Sequence, residues 1–157
     1  MIKRIIGQDI QPAPAANQDW LNLDVLAQVE VTSEDAAHPI ESALLPGTKS
    51  GWRAAESGPQ TVRLRFEKPQ RVRRIQLQFA EDEFERTQQF VLRWSSNGGE
   101  SYREIVRQQY NFSPPNSTNE CEDYRAELDG VTELELNIVP DISGGAARAS
   151  LAQLNLA

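Results

Sequence analysis

Six residues have side chains suited to holding a polyhydroxyl molecule: Trp52 and Arg53 in "KSGWRAA", Arg86 after "EDEFE", and Gln109, Tyr110 and Asn111 in "QQYNF". An aromatic face can stack on the apolar face of a pyranose ring, while guanidinium and amide groups bond its hydroxyls. Trp52 has a second reading, because an indole in a loop or at a strand start can equally plug one end of a β-sandwich. Tyr110 and Phe112 stand in a stretch, Gln108 to Asp123, that runs without alternation. A connection that long inside a compact domain is usually functional or disordered, and its aromatics argue against plain disorder.

Catalytic chemistry finds little material. His38 is the only histidine; it lies directly before Pro39, and no nucleophile-elbow sequence accompanies it. A capping or packing role suits it better than a place in a triad. Zinc sites recruit several nitrogen or sulfur ligands, whereas Cys121 and His38 are each solitary. Calcium needs only oxygens, but "EDEFE" at 81–85 reads as a solvated acidic turn. Two carboxylates could serve a glycosidase only across a cleft, and a sandwich of this size has little chain with which to build one. "SGGAA" at 143–147 precedes a strand, so its glycines make a turn rather than a phosphate cradle. The expectation is that no residue is catalytic.

These residues must be positioned by strands. "TVRLRF" places Val62, Leu64 and Phe66 on one face, "RIQLQF" places Ile75, Leu77 and Phe79, "FVLRW" places Phe90, Leu92 and Trp94, and "LELNI" places Leu134, Leu136 and Ile138. A period of two marks strands that bury one face. Further strands are expected around "LAQVEVTS", "YREIV", "DYRAEL" and "ASLAQLNLA". Hairpin turns are expected at "EKPQ", "SNGG" and "LDGV", where Asn-Gly and Asp-Gly admit positive φ. The one helical piece is "HPIESALL", stopped by Pro46 and Gly47. Many short strands with scarcely any helix predict an all-β antiparallel sandwich or jelly roll.

Bulk properties agree with one domain. The chain has 157 residues and a net charge of −7, which disfavours a general binder of nucleic-acid phosphates. Arg63, Arg65, Arg71, Arg73 and Arg74 cluster, and the expectation is a solvated, cross-strand-paired face, with "EDEFE" supplying nearby acid. A single cysteine excludes an internal disulfide, so a reduced compartment fits. The basic start carries only Ile5 and Ile6 where a secretory segment needs about 7 to 15 apolar residues. A cytoplasmic location without a membrane span is the expectation. Residues 1–24 are expected to form an arm and 25–157 the domain.

Several stretches together resemble the galactose-binding-like family, which includes the discoidin and coagulation factor V/VIII C-type domains. "VEVTSEDAAHPIESALLPGTKSGWRAA" is similar to that family's first strand, short helix and Trp-containing loop, and "GPQTVRLRFEKPQRVRRIQLQF" to the paired strands that follow. "FVLRWSSNGGESYREIV" resembles its later hairpin, which makes Asn97, Gly98 and Gly99 a structural turn. "AHPIESALL" followed by "WRAA" also resembles the N-terminal domain of the eukaryotic single-strand-break repair scaffold. The resemblance implies a jelly-roll binding module without catalysis, with carbohydrate as the leading ligand and a protein partner as the alternative. Sugar-binding members of the family carry an Asp-Gly that helps to hold calcium; "LLPGTKSGW" has Pro46 in place of that acid, which leaves backbone carbonyls as the ligands a structural calcium could still use, and no other cofactor is expected.

Overall fold

The computed structural model describes residues 20–47 and 50–157. Most of the expected arm, Met1 to Asp19, lies outside the described residues. The packed body begins before residue 25: Leu23 is buried, the Leu21 amide donates to the Leu156 carbonyl at 2.7 Å, and Arg74 lies over the Trp20 ring at 5.0 Å.

In chain order the elements are α1 (Leu23–Leu26), β1 (Ala27–Val31), α2 (Glu41–Leu44), β2 (Trp52–Ser57), β3 (Gln60–Ala80), β4 (Arg86–Ser95), β5 (Arg103–Phe112), β6 (Asn119–Val139), β7 (Arg148–Leu151) and β8 (Gln153–Leu156). All strand pairings within the sheets are antiparallel. The larger sheet runs β1-β3-β6-β4-β5, with β8 also paired to β3, and β2 pairs with β7. The architecture is the all-β sandwich that alternation predicts.

Two of the three expected hairpins are something else. "EKPQ" lies inside β3 and "LDGV" inside β6, so each strand runs on for 21 residues. The two segments face one another, Gln70 opposite Val131 and Val72 opposite Leu128, and the register shifts at these points. They are corners at which two paired strands bend together from one layer of the sandwich into the other. Before the bend β3 pairs with β1 and with residues 133–138 of β6; after it, with residues 119–128 of β6 and with β8. The burial pattern is rephased there too, Val72 and Ile75 both facing the core across Arg73 and Arg74.

The third hairpin is real. It joins β4 to β5, with Gly98 and Gly99 at φ of 71° and 90°. At that φ a side chain on Gly99 would be strained, and its Cβ would lie 2.5 Å from the Glu133 carboxylate, so the turn favours glycine. Ser95 Oγ accepts the Asn97 and Gly99 amides at 3.2 and 2.9 Å. The turn is scaffold.

The long loop expected from Gln108 to Asp123 is mostly strand: β5 continues to Phe112 and β6 starts at Asn119. β5 is an edge strand, and polar residues at exposed positions hide its alternation. The true connection is short, contains a cis Pro114–Pro115 bond, and closes with Ser117 N donating to Ser113 O at 3.0 Å.

The core joins the inward residues of both layers. Phe79 of β3 meets Phe90 of β4 with ring centroids 5.2 Å apart, and Ile75, Leu77, Leu92, Leu134, Leu136 and Ile138 are almost wholly buried. Each such side chain contributes roughly 1.5–3 kcal/mol on leaving water. Trp94, expected in the core, is only partly buried and packs on its margin.

Candidate functional site

The connection from β3 to β4 is organised around a single carboxylate. Glu81 Oε2 accepts the Glu83 and Phe84 amides at 3.1 and 3.3 Å, while Oε1 accepts Arg86 Nε at 2.7 Å. Burial works to raise the Glu81 pKa, but the Arg86 guanidinium and those amides hold it below the usual carboxylate range. With the loop fixed from within, Phe84 is left 64% exposed. The stretch expected to be a solvated acidic turn therefore presents an aromatic ring.

The β6–β7 connection stands opposite. Arg86 Nη1 donates to the Pro140 carbonyl at 2.8 Å and the Ile142 amide to the Thr87 carbonyl at 2.9 Å, tying this loop to β4. Asp141 Oδ1 accepts the Ser143 amide at 3.0 Å, and Gly144 and Gly145 turn the chain at φ of 84° and 95°. "SGGAA" makes the expected turn, and that turn forms a wall.

Between the two loops lies a cavity of about 410 Å³. Its lining includes Arg53 of β2, Phe84, Glu85, Arg86, Asp141 and Arg148 of β7. Arg53 has no side-chain partner among the described residues, and Arg148 reaches Asp35 only at 3.9 Å. The cavity thus offers one exposed aromatic face, two guanidiniums with free donors, and carboxylates with free acceptors. That combination suits a small, neutral molecule bearing many hydroxyls.

Beneath Arg86 a buried polar chain continues inward. Arg86 Nη1 reaches Gln88 Oε1 at 3.2 Å, and Gln88 Nε2 reaches Glu120 Oε1 at 3.1 Å. Burial first, and then the neighbouring Glu122 carboxylate, push the Glu120 pKa up to about 8, against the smaller pull of Gln88 and Arg86. Glu120 Oε2 has no donor partner in its buried position. When Glu120 is protonated, that oxygen can donate to the Glu122 carboxylate.

The sequence-based candidates disperse. Trp52 is 1% exposed, its ring N–H donating to the Ser33 carbonyl at 3.0 Å. It plugs the sandwich and cannot stack on a ligand. Arg53 and Arg86 meet at the cavity, but the Arg86 side chain is 1% exposed and serves as the buried brace of two loops. Tyr110 packs edge-on against Phe112 at 5.0 Å, donates its hydroxyl to the Asn119 carbonyl at 2.9 Å, and is not among the residues that line the cavity. Gln109 pairs across the sheet with Gln89 at 3.0 Å, away from the cavity. Asn111 lines a second cavity together with Arg86. Phe84, Glu85, Asp141 and Arg148 were missed; a lone large apolar residue amid four acids was the one available signal.

His38 bonds the Ser50 carbonyl through Nδ1 at 3.1 Å. Among the described residues no group of three or more His, Cys, Asp and Glu side chains is placed to hold a metal ion. Residues 48 and 49, within the stretch weighed for calcium, lie outside the described residues. No helix among the described residues is long and apolar enough to cross a membrane.

Fold and cavity together define a β-sandwich domain with a ligand-sized hollow between its inter-strand loops. The chain belongs to the F5/8 type C domain family, whose model matches residues 13–149. Its fold is similar to that of the family 32 carbohydrate-binding module of NanJ from C. perfringens, solved with galactose: 18% identity, TM-score 0.60, covering 83% of this chain and 92% of that one. It is also similar to a module from Clostridium perfringens solved with GalNAc-β-1,3-galactose, at 17% identity and TM-score 0.61, covering 88% and 99%. A third is the family 32 module of AlyQ in complex with 4,5-unsaturated mannuronic acid, at 16% identity and TM-score 0.59, covering 84% and 95%. No curated protein sequence matches the chain. The likeness to the repair scaffold rests on its sequence stretches alone.

Proposed function

We propose that this domain is a non-catalytic carbohydrate-binding module whose ligand sits in the cavity between the β3–β4 and β6–β7 loops. The observation that carries the reading is Phe84, 64% exposed at a cavity that also holds Arg53, Arg148, Glu85 and Asp141. The ring supplies a stacking face, the arginines donate to sugar oxygens, and the carboxylates accept from sugar hydroxyls. The sugar complexes of its structural relatives support the assignment of ligand class.

A thermal-shift screen against neutral and acidic mono- and oligosaccharides, with calcium and with chelator, tests the proposal, because a ligand of the folded state raises the melting temperature. One sugar class should give a saturable shift that Phe84→Ala abolishes. Absence of any shift at millimolar sugar would overturn the reading and direct the search to a protein partner, for which the exposed Phe84 and Ile142 would be the first residues to test.

A further inference from the structure

The cavity beneath Phe84 meets a second one, of about 440 Å³, along a shared wall made by Glu85, Arg86 and Asp141. The second cavity has a different chemistry. Its own lining is Thr87, Asn111, Ser113 and Ser143, together with Phe112, whose ring is fully buried. No exposed aromatic side chain is present there, so nothing can be stacked, but much can be hydrogen-bonded.

The donors are held ready by the strand pairing. Thr87 and Asn111 lie directly opposite one another on β4 and β5. Thr87 Oγ1 donates to Asn111 Oδ1 at 2.6 Å, which fixes the amide and turns it so that both Nδ2 hydrogens are free. Ser113 and Ser143 bond through their backbones, at Ser113 N to Ser117 O and Ser143 N to Asp141 Oδ1, and their hydroxyls have no partner among the described residues. On the shared wall, Glu85 and the second oxygen of Asp141 are unpaired acceptors. In the second cavity the one lining cation, Arg86, is already paired with Glu81, so these two carboxylates repel an anionic group there and accept from neutral hydroxyls.

Resting on the carbohydrate reading above, we propose that the ligand is a neutral oligosaccharide of at least two units. The first stacks on Phe84 and the next is bonded in the adjoining cavity by Asn111, Ser113 and Ser143. The two cavities would then divide the work, ring stacking in one and hydroxyl recognition in the other.

The test is calorimetric titration with matched probes: galactose, galactobiose and galactotriose; glucose, cellobiose and cellotriose; mannose, mannobiose and mannotriose; and digalacturonate as the anionic control. A neutral disaccharide should bind about tenfold more tightly than its monosaccharide, the gain of one or two net hydrogen bonds. Ser143→Ala, and Asn111→Ala together with Ser143→Ala, should reduce that gain while monosaccharide affinity stays unchanged. Equal affinity for one, two and three units would overturn the proposal, as would a length-dependent gain that survives both variants or a preference for digalacturonate. In each of these cases monosaccharide binding lost in Phe84→Ala leaves the carbohydrate reading standing. If none of the sugars binds, both fall.

Discussion

Arg63, Arg65, Arg71 and Arg74 of β3 each face a carboxylate on a neighbouring strand, whereas Arg53 and Arg148 at the cavity are left with unused donors. On the sheet, Arg63 holds Glu135 through two nitrogens at 3.0 and 2.8 Å, and Arg93 closes on the same carboxylate from the other side. Burial works to raise the Glu135 pKa, but Arg93, Asn137 and Arg63 together keep it below the usual carboxylate range. Tyr102 and Arg65 share Glu133 in the same way, and burial with the Glu133 contact pushes the Tyr102 hydroxyl up to about 12. Arg63, Arg65 and Arg93 thus direct their donors to protein acceptors, which makes this part of the sheet scaffold; Arg73 of the expected cluster pairs with no acid among the described residues. At the cavity the same residue type keeps free hydrogen-bonding capacity next to an exposed ring, and that is what a ligand can use. Arg86 combines the two cases: its ion pair with Glu81 is as buried as any on the sheet, and through Glu81 and the Pro140 carbonyl it ties the two walls of the cavity to each other.

The comparison can be broken most severely at Arg86. Arg86→Ala leaves Glu81 buried without its cation, and about 3–5 kcal/mol of stability should be lost in chemical denaturation, with ligand binding lost as well. Phe84→Ala or Arg53→Ala should leave unfolding within about 0.5 kcal/mol of the parent chain, because both side chains lie outside the core, and should weaken sugar binding by about tenfold or more in calorimetry. An intermediate effect is expected at Glu120. Its folded pKa stands above its unfolded value, so the folded state binds the extra proton and stability falls as pH rises from about 4.5 to about 8. Glu120→Gln imitates the protonated form; its melting temperature should change less over that range and exceed the parent's above about pH 8. The smallest effect belongs to the sheet face. Arg71→Gln removes ion pairs exposed on both sides, which should change stability by at most about 1 kcal/mol and sugar affinity not at all.

The paired face was legible in the sequence as a cluster of arginines at alternating positions, although its acids come from β1 and β6 rather than from "EDEFE". Partners separated by 72 residues, as Arg63 and Glu135 are, cannot be matched from local pattern. Core residues such as Val62, Leu64 and Phe66 were legible because burial follows a period of two. The corners were misread because Pro69 and Gly130 bring the same local chemistry to a bend within a strand as to a hairpin tip. β5 was misread because an edge strand with polar residues on its exposed positions has little alternation to show. The site was the least legible part. Trp52 and Tyr110 are aromatics beside polar residues, as a sugar platform would be, yet each has a backbone carbonyl for its polar end and a place in the packing. Phe84 has neither, and only the fold reveals that Glu81 turns it outward.

The most direct measurement is an amide NMR titration of the isotope-labelled domain with the tightest-binding monosaccharide from the screen. The account predicts that perturbed amides gather at Arg53, at 81–86 and at 141–148, and that they stay unmoved around Trp52's partner Ser33, at 108–110 and on the ion-paired stretch 63–74. Saturable perturbations confined to 108–110 or to the paired face, with 81–86 silent, would contradict it.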